Sequence, residues 1–190
     1  GRELFTALPL LTTIGNHDTP GFASSTDTSS YHRYFEPPAA ADGVGDFYSI
    51  DFGRVHILSL NSEDEPAFAR DIGEQYLFAQ QDLAALWSGG VRQADWVFAM
   101  WHVPAYNVGS RHHMEQAGFR DVTELLDGTV DWAFSGHEHL YQRMLPLQYN
   151  AVIASSAMYG IGPDDGVGYI VTPPAGNFAH NRVIDPEDPE

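Results

Sequence analysis

Short apolar runs of strand length alternate along this chain with polar, glycine-containing breaks, and the breaks carry most of its histidines. Residues 8–14 are apolar and β-branched toward their end, which predicts a buried strand stopping at Gly15. Residues 46–52 and 54–60 alternate in polarity about Gly53, the pattern of a hairpin, and residues 96–101 and 130–135 read as buried strands. Helical spacing is clearest at 74–87, where Tyr76, Leu77, Ala79, Leu83, Ala84, Leu86 and Trp87 share one broad face, and Ser88-Gly89-Gly90 is expected to end it. Shorter signals predict a helical turn at 31–35, stopped by Pro37-Pro38, and a small amphipathic helix at 119–126. Residues 19–30 read as a polar loop. Strands are expected at 141–147, 152–156 and 169–171, with a glycine-rich turn at 160–168.

The ends of these strands hold the candidate chemistry. Gly15-Asn16-His17-Asp18 follows the first, Asn61-Ser62-Glu63 closes the hairpin, His102 follows 96–101, and Gly136-His137-Glu138-His139 follows 130–135. In α/β folds the carboxyl edge of the sheet is where ligands bind. In extended backbone the side chains of His137 and His139, two residues apart, point to the same side and address one pocket. Two imidazoles at a strand end begin a metal site. Asn16 can add a neutral amide oxygen, while Asn and Asp after Gly equally suit an Asx-type turn. His56 lies inside a strand and reads as a packed or edge residue rather than a ligand. The donors are nitrogen and oxygen without sulfur, a set that suits zinc, iron or manganese rather than an iron–sulfur cluster.

Composition narrows the function. At 190 residues, 43% hydrophobic and 13% aromatic, the chain can bury a sizeable core. The net charge is -17 and every one of the nine basic residues is Arg, so a nucleic-acid or anionic-membrane partner is disfavoured. An acidic protein that handles phosphate esters needs a local positive charge, which a bound ion can supply. The absence of Cys excludes disulfides, thiolate nucleophiles and zinc-thiolate sites. No apolar run is long enough to cross a bilayer, and without an initiator Met the chain reads as a processed or truncated piece. Its acidity fits a secreted or salt-adapted protein equally, and a secreted or periplasmic location is expected. No internal repeat or domain linker is visible.

From residue 9 to residue 146 the sequence resembles the calcineurin-like metallophosphoesterases, and within them the purple acid phosphatase group. The resemblance rests on GNHD at 15–18, FYSIDFGRVHILSLNSE at 47–63, WHVPAYN at 101–107, HHME at 112–115 and GHEHLYQR at 136–143. It implies an α/β (α+β) fold, a two-sheet αββα sandwich whose N-terminal part is missing here. Residues 1–175 would form the C-terminal portion of the catalytic domain and 176–190 an acidic, Pro-rich tail. It implies a binuclear centre of two metal ions, iron paired with zinc, manganese or iron, in which Asn16, His102 and His137 bind one ion and His139 the other. His17 would contact the substrate phosphate and His112 the substrate or leaving group, while His113 is read as a surface residue.

The chain departs from the family pattern in three places. The Asp-bearing first ligand block is expected upstream of GNHD. The usual Tyr-Glu-Arg is Tyr141-Gln142-Arg143, and beyond Leu147 the segment at 155–178 does not match the expected glycine-rich strand. The implied reaction is hydrolysis of a small phosphomonoester by in-line attack of metal-bound hydroxide. A phosphodiesterase or nucleotidase of the same fold, or a non-catalytic fragment, are the alternatives. Missing strands would expose an apolar face, so the isolated chain is expected to be poorly soluble.

Overall fold

The computed structural model describes residues 7–20, 27–38, 43, 45–109, 119–153 and 165–173. In chain order the elements are α1 (Ser29–His32), β1 (Tyr48–Phe52), β2 (Val55–Ser59), a 3-10 turn (Glu65–Phe68), α2 (Glu74–Ala85), β3 (Trp87–Ser88), β4 (Val91–Arg92) and β5 (Trp96–Met100). They continue with α3 (Arg120–Thr123), running into a 3-10 turn (Glu124–Leu126), then β6 (Trp132–Ser135), β7 (Gln142–Arg143), β8 (Leu147–Gln148), β9 (Ala151–Val152) and β10 (Gly168–Val171).

Six strands form one mixed sheet in the order β1-β2-β5-β6-β10-β7, and β3-β4 and β8-β9 are two-stranded ribbons. The α/β class expected from the sequence is what the protein has, and of the two sheets expected the described residues form this one. Strands β2, β5, β6 and β10 run parallel, with Ile57 opposite Phe98 and Phe98 opposite Trp132. Their carboxyl ends therefore lie along one edge, which is what brings the segments after Ser59, Met100, Ser135 and Val171 together. Edge strands β1 and β7 are antiparallel to their neighbours.

Alternation of side chains gives the sheet two unlike faces. Leu58, Val97, Ala99, Ala133 and Tyr169 point into the core, where they meet Tyr76, Ala79 and Leu83 of α2 and the buried Phe119, Val122 and Leu126. Trp101 and Phe68 sandwich Phe119, at ring separations of 4.7 and 4.3 Å. The opposite face is also apolar, and no element among the described residues covers it: Phe52 and Trp96 are 47% exposed and Phe134 37%, with Ile50, Ile57, Phe98, Met100 and Ile170 half-buried between them. Trp96 and Phe98 stack along it with ring planes 4° apart.

Several local expectations are corrected. Residues 8–14 form no strand: both sides of β2 are taken by β1 and β5, so no ladder partner is left there. The segment is instead held by side chains. Tyr48 donates to the Thr12 carbonyl (2.7 Å), Tyr31 shares a 2.6 Å hydrogen bond with the Thr12 hydroxyl, and the Thr13 hydroxyl donates to the Leu60 carbonyl (2.8 Å). Burial is the main cause that raises the pKa of both phenols above the ordinary value, so they remain donors.

Gly89-Gly90 does not cap the helix. Both have positive φ, +58° and +78°, and they form the two-residue turn of the β3-β4 hairpin after α2 has ended at Ala85. The strand expected at 141–147 is interrupted: Pro146 lies between β7 and β8, and its missing N–H favours such a break. Residues 119–126 are half α and half 3-10 helix. The expected strand at 169–171 is present as β10, which inserts between β6 and β7. Of the strand expected at 152–156 only Val152 lies in β9, and 154–156 fall outside the described residues, as do most of the expected glycine-rich turn and the tail at 176–190. Among the described residues no helix is long and apolar enough to cross a membrane.

Candidate metal centre

Gly15 permits the first step of the site. A Cβ there would sit 2.9 Å from the His102 ring, so only glycine lets that imidazole pack on the backbone before Asn16. The chain then turns sharply: the Asp18 carboxylate accepts the Gly15 N–H (3.0 Å), the Asp18 N–H returns to the Gly15 carbonyl (2.9 Å) and the Thr19 hydroxyl donates to the Asn16 carbonyl (3.3 Å). Asp18 thus supplies the side-chain turn expected of this tetrapeptide, which leaves the Asn16 amide free of that task. Its Oδ1 lies 2.9 Å from Nε2 of His102.

His102 leaves the end of β5, and its carbonyl accepts the Gly136 N–H (2.9 Å), stitching the β5 and β6 ends together. The neighbouring Val103 N–H donates to the Ser62 hydroxyl (2.8 Å), and Gln75 holds Asn61 through both amide atoms (2.8 and 3.0 Å). The polar cluster at 61–63 is therefore a buried brace for the strand ends, a role that its sequence did not reveal.

After β6 the backbone reverses at His137, a non-glycine residue with φ +61°. The Glu138 N–H bonds the Gly136 carbonyl at 2.7 Å, closing a γ-turn of the positive-φ kind, and the Leu140 N–H bonds the Glu138 carbonyl at 2.8 Å. Extended backbone, and with it the period-two reason for His137 and His139 sharing a pocket, is absent here. What the turn achieves is to bring Nδ1 of His137 to 3.1 Å from Nε2 of His102, the rings edge to face at 4.9 Å.

Three donors thus meet through His102: an amide oxygen and two imidazole nitrogens. Ligand atoms about 2.0–2.2 Å from an ion stand roughly 3.3–3.6 Å apart in a tetrahedral shell and roughly 2.8–3.1 Å apart in an octahedral one, so the observed spacings match the tighter, octahedral edge. An imidazole nitrogen carries one hydrogen or one lone pair and cannot satisfy both of these neighbours by hydrogen bonding alone. A cation among the three satisfies all of them. His139 adds a further sign, because its Nδ1 is buried and has no hydrogen-bond partner among the described residues. These observations fit an ion at Asn16, His102 and His137, beside which the His139 Nδ1 stands as a further buried donor unpartnered among the described residues.

Among the described residues no three His, Cys, Asp or Glu side chains form a metal-holding group, since one of the three converging donors is an amide. His17 is exposed at the turn beside Asn16. His112 and His113 lie outside the described residues, so the structure says nothing of their place. A cavity of about 230 Å³ opens beside the convergence, lined by Thr13, Met100, His102, Phe134 and Gly136 among others. His56, read as packed rather than ligating, is buried under α2. Its Nδ1 meets Asp51 and its Nε2 meets Asp82, both at 2.8 Å.

The sequence model of the calcineurin-like phosphoesterase family matches residues 2–141. Purple acid phosphatase 23 of Arabidopsis thaliana is 31% identical over 147 residues, 75% of this chain and 31% of that protein. An acid phosphatase of Aspergillus ficuum is 27% identical over 239 residues, 94% of this chain and 38% of that protein. The chain spans about a third of the length of the curated relatives it matches. The structure of a purple acid phosphatase from yellow lupin seeds superposes with a TM-score of 0.64 at 22% identity, over 87% of this chain and 31% of that one.

Proposed function

The chain belongs to the calcineurin-like phosphoesterase family, and on that premise we propose that it is part of a binuclear metal-dependent hydrolase of small phosphomonoesters. The convergence of Asn16 Oδ1, His102 Nε2 and His137 Nδ1 at 2.9 and 3.1 Å carries this reading. These three would hold one ion and His139 would serve the second, iron with zinc, manganese or iron. Bound there, the ions supply Lewis acidity that acidifies a water and offsets charge on the phosphoryl oxygens.

The chain's own residues do the rest. Gly15 and the Asp18 turn fix the direction of the Asn16 amide. His17, exposed at the same turn, donates a hydrogen bond to a phosphoryl oxygen, and His112 delivers a proton to the departing alkoxide. The acidic surface makes this local positive charge necessary for an anionic substrate to dwell. A secreted or periplasmic location belongs to the same reading and is supported by the acidic composition.

The test is hydrolysis of p-nitrophenyl phosphate by the full-length protein after reconstitution with iron and zinc. Asn16→Ala and His137→Ala each lower kcat/KM by about a hundredfold or more, the loss expected when charge stabilisation of several kcal/mol goes. Activity unchanged by both substitutions overturns the assignment. A second reading, a non-catalytic module that binds a single ion, is favoured by the lack of a carboxylate in the described convergence. Metal content near two ions per full-length protein decides against it.

A further inference from the structure

Glu138, the residue between the two histidines of the β6 loop, is fully buried, which is unusual for a carboxylate at the mouth of a site. Its side chain reaches under the loop at residues 107–109. A Cβ placed on Gly109 would run into the carboxyl end of Glu138, and the backbone of Gly109 is not in the left-handed region, so glycine answers there to space alone. The same loop is held a second time: the Val108 N–H donates to Oε1 of Gln142 (2.8 Å), buried at the start of β7. Within the loop, the Gly109 N–H donates to Oδ1 of Asn107 (2.8 Å).

This contact matters because of what the loop follows: it runs on from His102 at the end of β5, so fixing it ties the chain after one imidazole of the convergence to the loop that carries the other. Glu138 touches that loop with its side chain, while its backbone joins His137 to His139.

Resting on the metal-centre reading above, we propose that Glu138 and Gln142 are positioning residues that latch the 107–109 loop onto the His137–His139 loop. They hold the imidazoles of His102 and His137 in one register through the segments that follow each of them. Gly109 is the socket of this latch. Neither carboxylate nor amide is required to touch substrate.

A double-mutant cycle on the 190-residue chain tests the latch, read by hydrogen exchange at the 108 and 109 amides and by Zn2+ affinity. Gly109→Ala speeds exchange there about tenfold and weakens Zn2+ binding about tenfold, in line with lost support around a ligand. In the Glu138→Ala background the obstacle is gone, and the further effect of Gly109→Ala falls to within about a factor of two. Gln142→Glu keeps an acceptor for Val108 and keeps exchange slow, whereas Gln142→Ala does not. An undiminished Gly109→Ala effect beside Glu138→Ala, or equal behaviour of the two Gln142 variants, overturns the latch. Should the unaltered chain fail to bind Zn2+, the metal reading falls, and the exchange cycle alone still decides whether the latch exists.

Discussion

The amide oxygen of Asn16 lies 2.9 Å from Nε2 of His102, although the two residues are 86 positions apart in the chain. Gly15 makes the approach possible, because the His102 ring occupies the place of a Cβ. Gly15→Ala therefore displaces the ring. The expected result is a stability loss of about 1–3 kcal/mol in chemical denaturation, typical of an overpacked site, together with weaker Zn2+ binding. Binding at the original affinity would show that the ring and the amide are not held by this packing.

His137 carries positive φ, which costs a non-glycine residue roughly 1–2 kcal/mol. His137→Gly relieves that strain while removing a ligand atom. Stability without metal is expected to rise by up to about 1 kcal/mol, with Zn2+ affinity falling at least tenfold, the trade expected where strain is kept for function. A denaturation midpoint that falls along with affinity would mean that the imidazole supports the fold itself.

His56 makes the fold's response to pH legible. Burial alone would lower its pKa, but hydrogen bonds and charge from Asp82 and Asp51 together raise it above the ordinary 6.5. A raised folded-state pKa means that the protonated ring contributes stability fully present below about 6.5 and lost as pH rises through the higher folded value. Urea midpoints measured from pH 5 to 9 should therefore fall more steeply with rising pH in the unaltered chain than in His56→Gln. Parallel curves would remove the clamp between the β1-β2 hairpin and α2 from the account.

The sheet face that no described element covers, with Trp96, Phe98 and Phe134 along it, is larger than the scattered apolar residues of an ordinary surface. The 190-residue chain is expected to bind a hydrophobic dye and to self-associate at micromolar concentration. Trp96→Arg with Phe134→Ser should reduce both. A monomeric chain with no dye binding would show the face to be covered.

Much of the architecture was legible because its signals are local. Alternation about Gly53 gave the β1-β2 hairpin, and the apolar runs before His102 and Gly136 gave β5 and β6. The polar residues at their ends needed only the rule that parallel strands share a carboxyl edge. What escaped has no local signal. β10 inserts between β6 and the edge strand β7, pairing with β6 across 36 positions, as Gly168 opposite Trp132 shows, and that choice depends on distant chain. The γ-turn at His137 violates the extended backbone that its strand-end position suggested, and only the contact with His102 explains it. Glu138 looked like a spacer in His-x-His, since nothing in a single sequence says that a carboxylate there faces inward beneath Gly109. Gln75 was hidden for a similar reason, as a polar residue on an apolar helix face is legible only once Asn61 is placed against it.

The most direct test is a Zn2+ titration of the chain followed through the 15N ring resonances of His102 and His137. One binding event should move both sets of resonances together, and Asn16→Ala should weaken that event at least tenfold. Zn2+ binding that leaves either ring unmoved, or that is indifferent to Asn16, would contradict the shared centre.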